Sequence, residues 1–264
     1  MDVRSKYLRS LIYQMVKIEG RGHIGPALSL IEILRVLFDS FLQYQPTNPT
    51  WKERDRFILS KGHGCLALYA LLADKGFFDL RDLETVCRFD SFLGGHPERG
   101  KVPGVEASTG ALGHGLPIAV GMAVAAKIKK QSHRVVIVCG DGEINEGSVW
   151  ESALSASKHH LDNLIVIIDY NKMQSYGTTE EVLSLEPLSG KWSSFGFSVY
   201  ETDGHSVRDL ELTFASAKIL NRQPKVIICH TVKGKGLSAA ENNPQWHHKR
   251  LSGNELEMMN REWT

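Results

Sequence analysis

Residues 134–147 read RVVIVCGDGEINEG, and this stretch decides the fold class. The segment before the first glycine is apolar at both odd and even positions and rich in β-branched side chains, a pattern typical of a strand buried on both faces. Similar runs lie at 164–169 (LIVIID) and 225–230 (KVIICH), and shorter ones at 57–59 and 198–201 could add strands. The pattern predicts a parallel sheet as the core of the molecule.

Helical patterns separate these strands. Residues 147–160 and 207–220 lie between them, and residues 8–18 and 28–42 place apolar side chains at three- and four-residue intervals, with Ser29 as a candidate cap. Alternation of strands and helices predicts an α/β fold with three αβα layers and a mostly parallel central sheet. We expect one domain over residues 1–264, with its main body from about residue 5 to about residue 250.

Composition narrows the functional classes. The 264 residues are 42% hydrophobic and 23% charged, which excludes a disordered or collagen-like chain. Lys plus Arg is 31 against 30 for Asp plus Glu, a net charge of +1 that does not favour nucleic-acid or membrane binding. The four cysteines form no CxxC pair, and no segment resembles a signal peptide or a membrane span. We therefore expect a cytoplasmic protein with reduced thiols.

Polar residues follow two of the buried strands. Gly140-Asp141-Gly142 ends the first, and Asn171 follows the second at a distance of 171 − 141 = 30 residues, the span of one helix and one strand. Neighbouring parallel strands end at one edge of a sheet, where α/β proteins bind ligands. A carboxylate and an amide oxygen there would suit Mg²⁺ or Ca²⁺ that also binds phosphate. The alternative for GDG alone is a tight turn with a solvated aspartate.

Three loops each combine histidine with glycine, at His23, His63 and His96. Glycine permits close approach of a ligand, and neutral imidazole can donate and accept protons near pH 7. A lone loop histidine is more often a surface or structural residue, but three such loops favour a proton-transfer site. No HxxxH spacing favours a metal site.

Nearly the whole chain resembles the amino-terminal, diphosphate-binding domain of transketolase, and in particular the amino-terminal subunit of two-chain (split) transketolases. The motifs that carry this resemblance occur in order along the chain: Arg21-Gly22-His23-Ile24-Gly25, Leu59-Ser60-Lys61-Gly62-His63, Gly95-His96-Pro97-Glu98, Ser108-Thr109-Gly110-Ala111-Leu112-Gly113, Gly140-Asp141-Gly142, Asn145-Glu146-Gly147, Asp169-Tyr170-Asn171-Lys172, Asp203-Gly204-His205 and Lys233-Gly234-Lys235-Gly236.

The resemblance implies a thiamine diphosphate-binding fold and assigns roles to residues. It places the metal on Asp141, Asn171 and the carbonyl of Met173. The cofactor contacts that it implies are His63, the backbone around Gly110 and Leu112, Gly140, Asp141, Gly142, Glu143 and Asn171. The catalytic group that it implies comprises His23, His63, His96, His247 and Glu146. Of these, His23, His96 and His247 would line a donor-sugar channel. Glu146 would join a carboxylate network at a subunit interface or simply begin a helix.

Three departures from the family pattern bear on the substrate. Ile24 follows His23 where proline is common, His114 follows Gly113 where glutamine is common, and His248 follows His247 where glycine is usual. We expect these positions to affect the shape of the donor channel. His248 could take the place of His247 at the site.

The family also implies a partner, because its pyrimidine-binding domain has no counterpart in this chain. We expect a separate carboxyl-terminal subunit in an α2β2 assembly, with transfer of a two-carbon ketol unit from a ketose phosphate to an aldose. One alternative is a split thiamine diphosphate enzyme that transfers a glycolyl- or acetyl-level unit to a carrier-bound or pathway-specific acceptor. The other is a non-catalytic module that binds the cofactor or a partner.

Overall fold

The computed structural model describes residues 1–263 and contains ten α-helices and seven strands within that range. The helices are α1 Val3–Glu19, α2 Ile24–Leu28, α3 Ile31–Val36, α4 Cys65–Asp74, α5 Gly115–Ile128, α6 Gly147–Lys158, α7 Thr179–Leu183, α8 Leu188–Ser194, α9 Val207–Ala217 and α10 Gly253–Trp263. The strands are β1 Arg21–Gly22, β2 Arg56–Leu59, β3 Val135–Gly140, β4 Leu164–Tyr170, β5 Ser198–Asp203, β6 Lys225–His230 and β7 Lys249–Arg250.

Five strands form the central sheet, in the order β2-β3-β4-β6-β5, and every pair is parallel. The register pairs Gly140 with Asp169, so the segments after β3 and β4 leave the sheet side by side. The parallel α/β fold is thus confirmed, as are the strands expected at 57–59 and 198–201. All five carboxyl ends lie on one edge, which is where the site is built.

Alternate side chains of the strands enter two separate apolar layers. On β3, Val136 and Val138 pack into the layer that contains α1, α3, α4 and α9, whereas Val135 and Ile137 pack into the layer that contains α5 and α6. Both faces of the sheet are therefore covered by helices, which explains why the strand sequences are apolar at odd and even positions alike.

The amino-terminal helices differ from the sequence expectation. The segment 28–42 is not one helix: α2 ends at Leu28, α3 begins at Ile31, and a π-helical turn follows at Leu37–Phe41. Ser29 does not cap the start of α3: it follows the last residue of α2 as its carboxyl-terminal cap, and its hydroxyl contacts the Pro26 carbonyl at 3.2 Å and the Asp169 carboxylate at 2.6 Å. The tertiary contact with Asp169 outweighs the local capping preference.

A small antiparallel sheet joins the two ends of the chain. It pairs Arg21 with Arg250 and Gly22 with Lys249, and it brings His23 beside the segment that carries His247 and His248. Helix α10 then packs on α1 and buries Met259 and Trp263 in the core. The packed body therefore extends past residue 250.

No helix within residues 1–263 is both long and apolar enough to cross a membrane. The four cysteines are free thiols; Cys65, Cys139 and Cys229 are buried and Cys87 is exposed.

Candidate cofactor cleft and histidine cavity

A cleft of about 250 Å³ opens at the carboxyl edge of the sheet, between the ends of β3, β4 and β6. Its lining includes most of the residues that the sequence assigned to cofactor and metal binding, namely His63, Leu112, Gly140, Asp141, Gly142, Glu143, Asn171 and Met173, together with Glu146 and His247 from the catalytic group. The fold therefore brings together residues that are 184 positions apart in sequence (247 − 63).

Asp141 is buried, and backbone amides hold both of its carboxylate oxygens. One oxygen accepts from the Gly142 amide at 2.8 Å and the other from the Lys172 amide at 2.5 Å. Burial raises the pKa of Asp141 to about 7, with a further contribution from the negative charge of Asp169. The hydrogen bond to Lys172 connects the loop after β3 to the loop after β4.

The oxygen atoms near Asp141 fit a hard divalent cation. The Asn171 side-chain oxygen accepts from the Met173 amide at 3.0 Å, which fixes the amide group beside the cleft. Carboxylate, amide and carbonyl oxygens are ligands that Mg²⁺ and Ca²⁺ accept. Among residues 1–263 no group of three or more His, Cys, Asp or Glu side chains is placed to hold a metal ion. The site expected from the sequence draws on amide and carbonyl oxygens as well as on one carboxylate.

Lys61 and Asp169 form a buried ion pair beneath the cleft. The Lys61 ammonium lies 2.5 Å from the Asp169 carboxylate, which also accepts from the hydroxyls of Ser29 and Thr231. Burial alone would raise the pKa of Asp169, but the Lys61 charge and these hydrogen bonds hold it below its usual value. This network fixes the ends of β2 and β4 relative to each other and leaves a lysine on the floor of the cleft.

Glu143 lines the cleft, but its carboxylate oxygens accept hydrogen bonds from groups of the protein itself. It accepts from the Ser60 hydroxyl, from the Gly140 amide at 3.0 Å and from the Gly113 amide at 3.1 Å. Burial raises its pKa. Its geometry suits a role in positioning the loops after β2 and β3.

Lys233 connects the loop after β4 to a histidine. Its ammonium lies 3.0 Å from Nδ1 of His247, donates to the Gln174 carbonyl at 2.8 Å and lies 3.5 Å from the Met173 carbonyl. Burial, together with the charge of Lys61, lowers the pKa of Lys233 to about 8. Gln174 also lines the cleft, and its buried side-chain nitrogen has no hydrogen-bond partner among residues 1–263. A phosphate oxygen would satisfy such a donor.

A second cavity, also of about 250 Å³, adjoins the cleft at His63, which lines both. We call it the histidine cavity, because His23, His63, His96 and His248 line it. The His23 ring centroid lies 5.6 Å from those of His63 and His247, 6.0 Å from that of His96 and 4.5 Å from that of His248.

Three half-buried histidines, His23, His63 and His247, have lowered pKa values, which favours the neutral imidazole at physiological pH. Burial and the neighbouring His248 lower the pKa of His23 to about 4, and burial with the charge of Lys233 lowers the pKa of His247 to about 3. The pKa of His63 is shifted in the same direction by burial and Lys61. Neutral imidazoles can donate and accept hydrogen bonds with sugar hydroxyls.

Close backbone packing positions the histidine loops. Gly110 has a φ of +136°, and a Cβ there would lie 2.7 Å from the His96 ring. A Cβ on Gly62 would lie 2.8 Å from the Gly110 nitrogen. Gly110 therefore contacts His96 and the loop before His63, and it does not line the cofactor cleft itself as Leu112 does.

The three departures from the family pattern occupy different environments. Ile24 is fully buried and His114 is exposed; neither lines the cofactor cleft or the histidine cavity. Of the three, His248 alone lines the histidine cavity, while its neighbour His247 lines the cofactor cleft. Both members of the pair therefore face the site, in adjoining compartments.

Sequence reasoning assigned no role to Lys61, Lys233 or Gln174. The two lysines lie in motifs quoted above, and Lys233 comes three residues after the end of β6. The position of these two lysines just beyond buried strands is the feature of the sequence that could have indicated a role at the site. The pairing of Lys61 with Asp169 and of Lys233 with His247 required the tertiary structure.

Comparison with protein families matches residues 3–264 to the family described as transketolase, thiamine diphosphate binding domain. The chain is 43% identical over 248 residues to one subunit of the apulose-4-phosphate transketolase of Phocaeicola vulgatus, covering 94% of this chain and 88% of that protein. It is 40% identical over 249 residues to the 6-deoxy-6-sulfo-D-fructose transketolase subunit SqwG of a Clostridium species, covering 94% and 90%.

Solved structures give the same result for the fold. The crystal structure of transketolase from Campylobacter jejuni superposes with a TM-score of 0.92 at 33% identity, covering 98% of this chain. The chain spans 42% of the length of that transketolase.

Proposed function

Because the chain belongs to the transketolase family and matches its thiamine diphosphate-binding domain over residues 3–264, we propose that it is the amino-terminal subunit of a two-chain transketolase. The observation that carries the proposal is the single cleft in which His63, Asp141 and Asn171 meet at the carboxyl edge of the sheet. The reaction would transfer a two-carbon ketol unit from a ketose phosphate to an aldose. Residues 1–264 would act as one domain.

The chain would bind the diphosphate half of the cofactor. His63, Gly140, Gly142 and Gln174 line the cleft where the diphosphate would lie, and the side-chain nitrogen of Gln174 has no hydrogen-bond partner within residues 1–263. Glu143 holds the loops in place, and the backbone at Leu112, supported by Gly110, would contact the aminopyrimidine ring. When bound, thiamine diphosphate supplies the carbanion chemistry of the transfer.

A divalent metal would bind between the loops after β3 and β4. Asp141 and Asn171 would supply side-chain oxygens and Met173 its carbonyl oxygen, since a carbonyl has two lone pairs and can accept from Lys233 as well. The ligand chemistry fits Mg²⁺ and also Ca²⁺.

The histidines would handle the substrate. His23, His63, His96 and His247 would hydrogen-bond sugar hydroxyls and move protons as the carbon–carbon bond breaks. The protonated form of Lys233 has only donors, so Nδ1 of His247 would accept from it and the imidazole proton would sit on Nε2. His247 would therefore present a donor to the substrate.

We place the pyrimidine-binding half of the site on a separate carboxyl-terminal subunit, in an α2β2 assembly. The names of the relatives, which call them subunits of transketolases, support this partner. Glu146 lines the cleft and is exposed, and it would join a carboxylate network across that interface. A cytoplasmic location fits the free thiols.

The test is calorimetric titration of thiamine diphosphate with Mg²⁺ into this chain, alone and with its candidate partner subunit, followed by a ketol-transfer assay on the same samples. We expect tight binding and turnover only in the mixture. Binding without sugar turnover would favour the glycolyl- or acetyl-transferring alternative. No binding in either sample would favour the non-catalytic module.

A further inference from the structure

A recess of about 430 Å³ opens at the amino edge of the central sheet, opposite to the edge that carries the cofactor cleft. We call it the basic recess; its lining residues are Lys52, Arg56, Met122, Ala125, Lys129, Gln131 and His133. None of them lines the cofactor cleft or the histidine cavity. Because β3 is six residues long and a strand rises about 3.3 Å per residue, about 20 Å separates the two edges. The basic recess is therefore a separate space.

Two strands and a helix meet at the basic recess. Arg56 begins β2, and His133 lies just before β3, the neighbouring parallel strand. Lys129 follows the end of α5, and Met122 and Ala125 lie on the same helix at an interval that places them on one face. The basic recess therefore combines an apolar wall with cationic side chains from separate segments of the chain.

The charge of the basic recess is not balanced. Lys52, Arg56 and Lys129 each contribute a positive charge, and no Asp or Glu lines the recess. Within residues 1–263 none of the three side chains takes part in an ion pair. Attraction to the carboxyl end of α5 can account only for Lys129. The chain as a whole has a net charge of +1, so this excess is a local feature that favours an anion.

Arg56 is fixed in place and has donors left for a ligand. Its Nη1 and Nη2 atoms donate to the carbonyls of Arg54 and Lys52, at 2.6 Å and 2.8 Å. Burial and the charge of Arg54 lower the pKa of Arg56, so its surroundings oppose the positive charge. The carboxylates of Asp55 and Glu106 act in the opposite direction, but each is bound to another arginine. An anion beside Arg56 would stabilise the charge and accept from the remaining donors.

His133 supplies a buried polar group without a partner. The residue is only 7% exposed and lines the basic recess, and within residues 1–263 its ring makes no hydrogen bond or ion pair. Burial and the charge of Arg56 lower its pKa, which favours the neutral imidazole. Buried polar groups are normally hydrogen-bonded, so this imidazole requires a partner that enters through the recess. An anionic oxygen there would accept from its N–H.

We propose that the basic recess is a second anion site, separate from the cofactor cleft, that binds a chain of two or more phosphates, either free or as part of a nucleotide. Arg56 and His133 would bind phosphate oxygens, and the exposed Lys52 and Lys129 would reach the ligand from the rim. Several cationic groups match an oligophosphate better than a singly charged anion. The site would serve a ligand other than the sugar substrate, so the inference does not rest on the proposed function.

The test adds tripolyphosphate, ATP or adenosine to this chain with labelled histidines and follows the ring signals by NMR. EDTA is present so that no divalent metal bridges the phosphates to the cofactor cleft, and His133→Gln assigns the signal of His133. We expect a saturable shift of that signal with tripolyphosphate and ATP, and none with adenosine. Tighter binding of ATP would show that the apolar wall contacts the base, whereas equal affinities would show that the phosphate chain alone is recognised. Both results support the proposal.

Three variants test the residues of the basic recess. Arg56→Gln should raise the Kd of tripolyphosphate by about tenfold, as expected for the loss of a charge-assisted hydrogen bond. Lys129→Gln changes an exposed side chain, where folding is not at risk, and should raise the Kd by about two- to fivefold. Lys158→Gln is the matched control, since Lys158 is also an exposed lysine at the carboxyl end of a helix but does not line the recess. It should leave the Kd unchanged.

Several outcomes would overturn the proposal. One is the absence of a shift at His133, and another is a shift confined to His63, which lines the cofactor cleft. Affinities in Arg56→Gln and Lys129→Gln that equal those of the unmodified chain, or of Lys158→Gln, would do so as well. The rival occupant is an acidic segment of the partner subunit. If addition of that subunit moved the His133 signal and prevented tripolyphosphate from binding, the basic recess would be a protein contact and the proposal would be wrong.

Discussion

The Lys233 ammonium lies 3.0 Å from Nδ1 of His247, and the same nitrogen reaches the carbonyls of Met173 and Gln174. One buried cation therefore sets the orientation of a histidine that lines the cofactor cleft, and it also holds the loop proposed to bind the metal. Lys233 is in this sense a positioning residue. The tautomer of His247, which it orients, provides a direct measure of that role.

We expect Lys233→Met to lower kcat/KM by about 10- to 100-fold, the usual cost of removing a group that orients a ligand or catalytic side chain. The ¹⁵N shifts of His247 should change as well, because the proton is no longer confined to Nε2. Lys235→Met is the matched control, since that side chain is at the surface and pairs with Glu241 at 3.4 Å. An unchanged His247 tautomer in Lys233→Met would refute the role.

Asp141→Ala should abolish the dependence of cofactor binding on Mg²⁺. We expect the affinity for thiamine diphosphate to fall by more than the roughly 10- to 100-fold cost of losing an outer-shell partner. Calorimetry with and without Mg²⁺ measures this. Asp90→Ala, which removes a carboxylate from an exposed loop, serves as the control. If the affinity for thiamine diphosphate depended equally on Mg²⁺ in Asp141→Ala and in the unmodified protein, the assignment of Asp141 to the metal would be wrong.

Gly110→Ala should destabilise the chain by about 1–3 kcal/mol, because alanine is strained at a φ of +136° and its methyl group would press on the His96 ring. Urea unfolding measures the loss. Gly121→Ala in α5 is the control: apart from its chain neighbours and the backbone of its own helix, no described atom lies within 4 Å of the point that a Cβ would occupy there, so the change should stabilise by up to about 1 kcal/mol. Similar effects of both substitutions would contradict the packing argument.

Glu32 should make the stability depend on pH on the acid side. Burial alone would raise its pKa, but hydrogen bonds from His205 and Arg9 lower it to about 2. A carboxyl with a lowered pKa stabilises the folded state above its unfolded pKa of 4.5, and this contribution is lost as the pH falls towards 2. The facing groups are Arg9, at 2.6 Å, and His205, at 3.0 Å.

Glu32→Gln should therefore lower the free energy of unfolding at pH 7 by about 3–5 kcal/mol, since Arg9 is left buried and unpaired. It should also flatten the decline of stability below pH 4.5. Urea unfolding across this pH range measures both effects, with the exposed Glu257→Gln as control. If the stabilities of Glu32→Gln and the unmodified protein fell in parallel as the pH is lowered, the Glu32 carboxyl would not be the source of the pH dependence.

The central sheet could be predicted because the apolar pattern that marks each strand lies within the sequence of that strand. Strands such as 135–140 and 164–170 are apolar at both parities, and the residues after them must meet at one edge once the strands are parallel. That rule alone placed Asp141 beside Asn171. The glycine-histidine loops drew attention to His63, and the resemblance to the family then supplied the roles of His63 and His247, which no spacing rule connects.

Other features depended on contacts between distant segments. The break between α2 and α3 follows from the bond between Ser29 and Asp169, which are 140 residues apart. The strands β1 and β7 contain two residues each, too few to show any periodicity. The burial of Lys61 likewise depends on a partner that only the folded chain provides.

The pairing of Arg21 with Arg250 also bears on the order of events during folding. These residues are 250 − 21 = 229 positions apart, so bringing them together closes almost the entire chain into a loop. Contacts of such high sequence separation carry a large entropic cost and form late. The sheet can assemble from nearer neighbours first, whereas the meeting of His23 with His247 and His248 must wait for this last closure. Ligand binding at the histidines would therefore report on completion of folding.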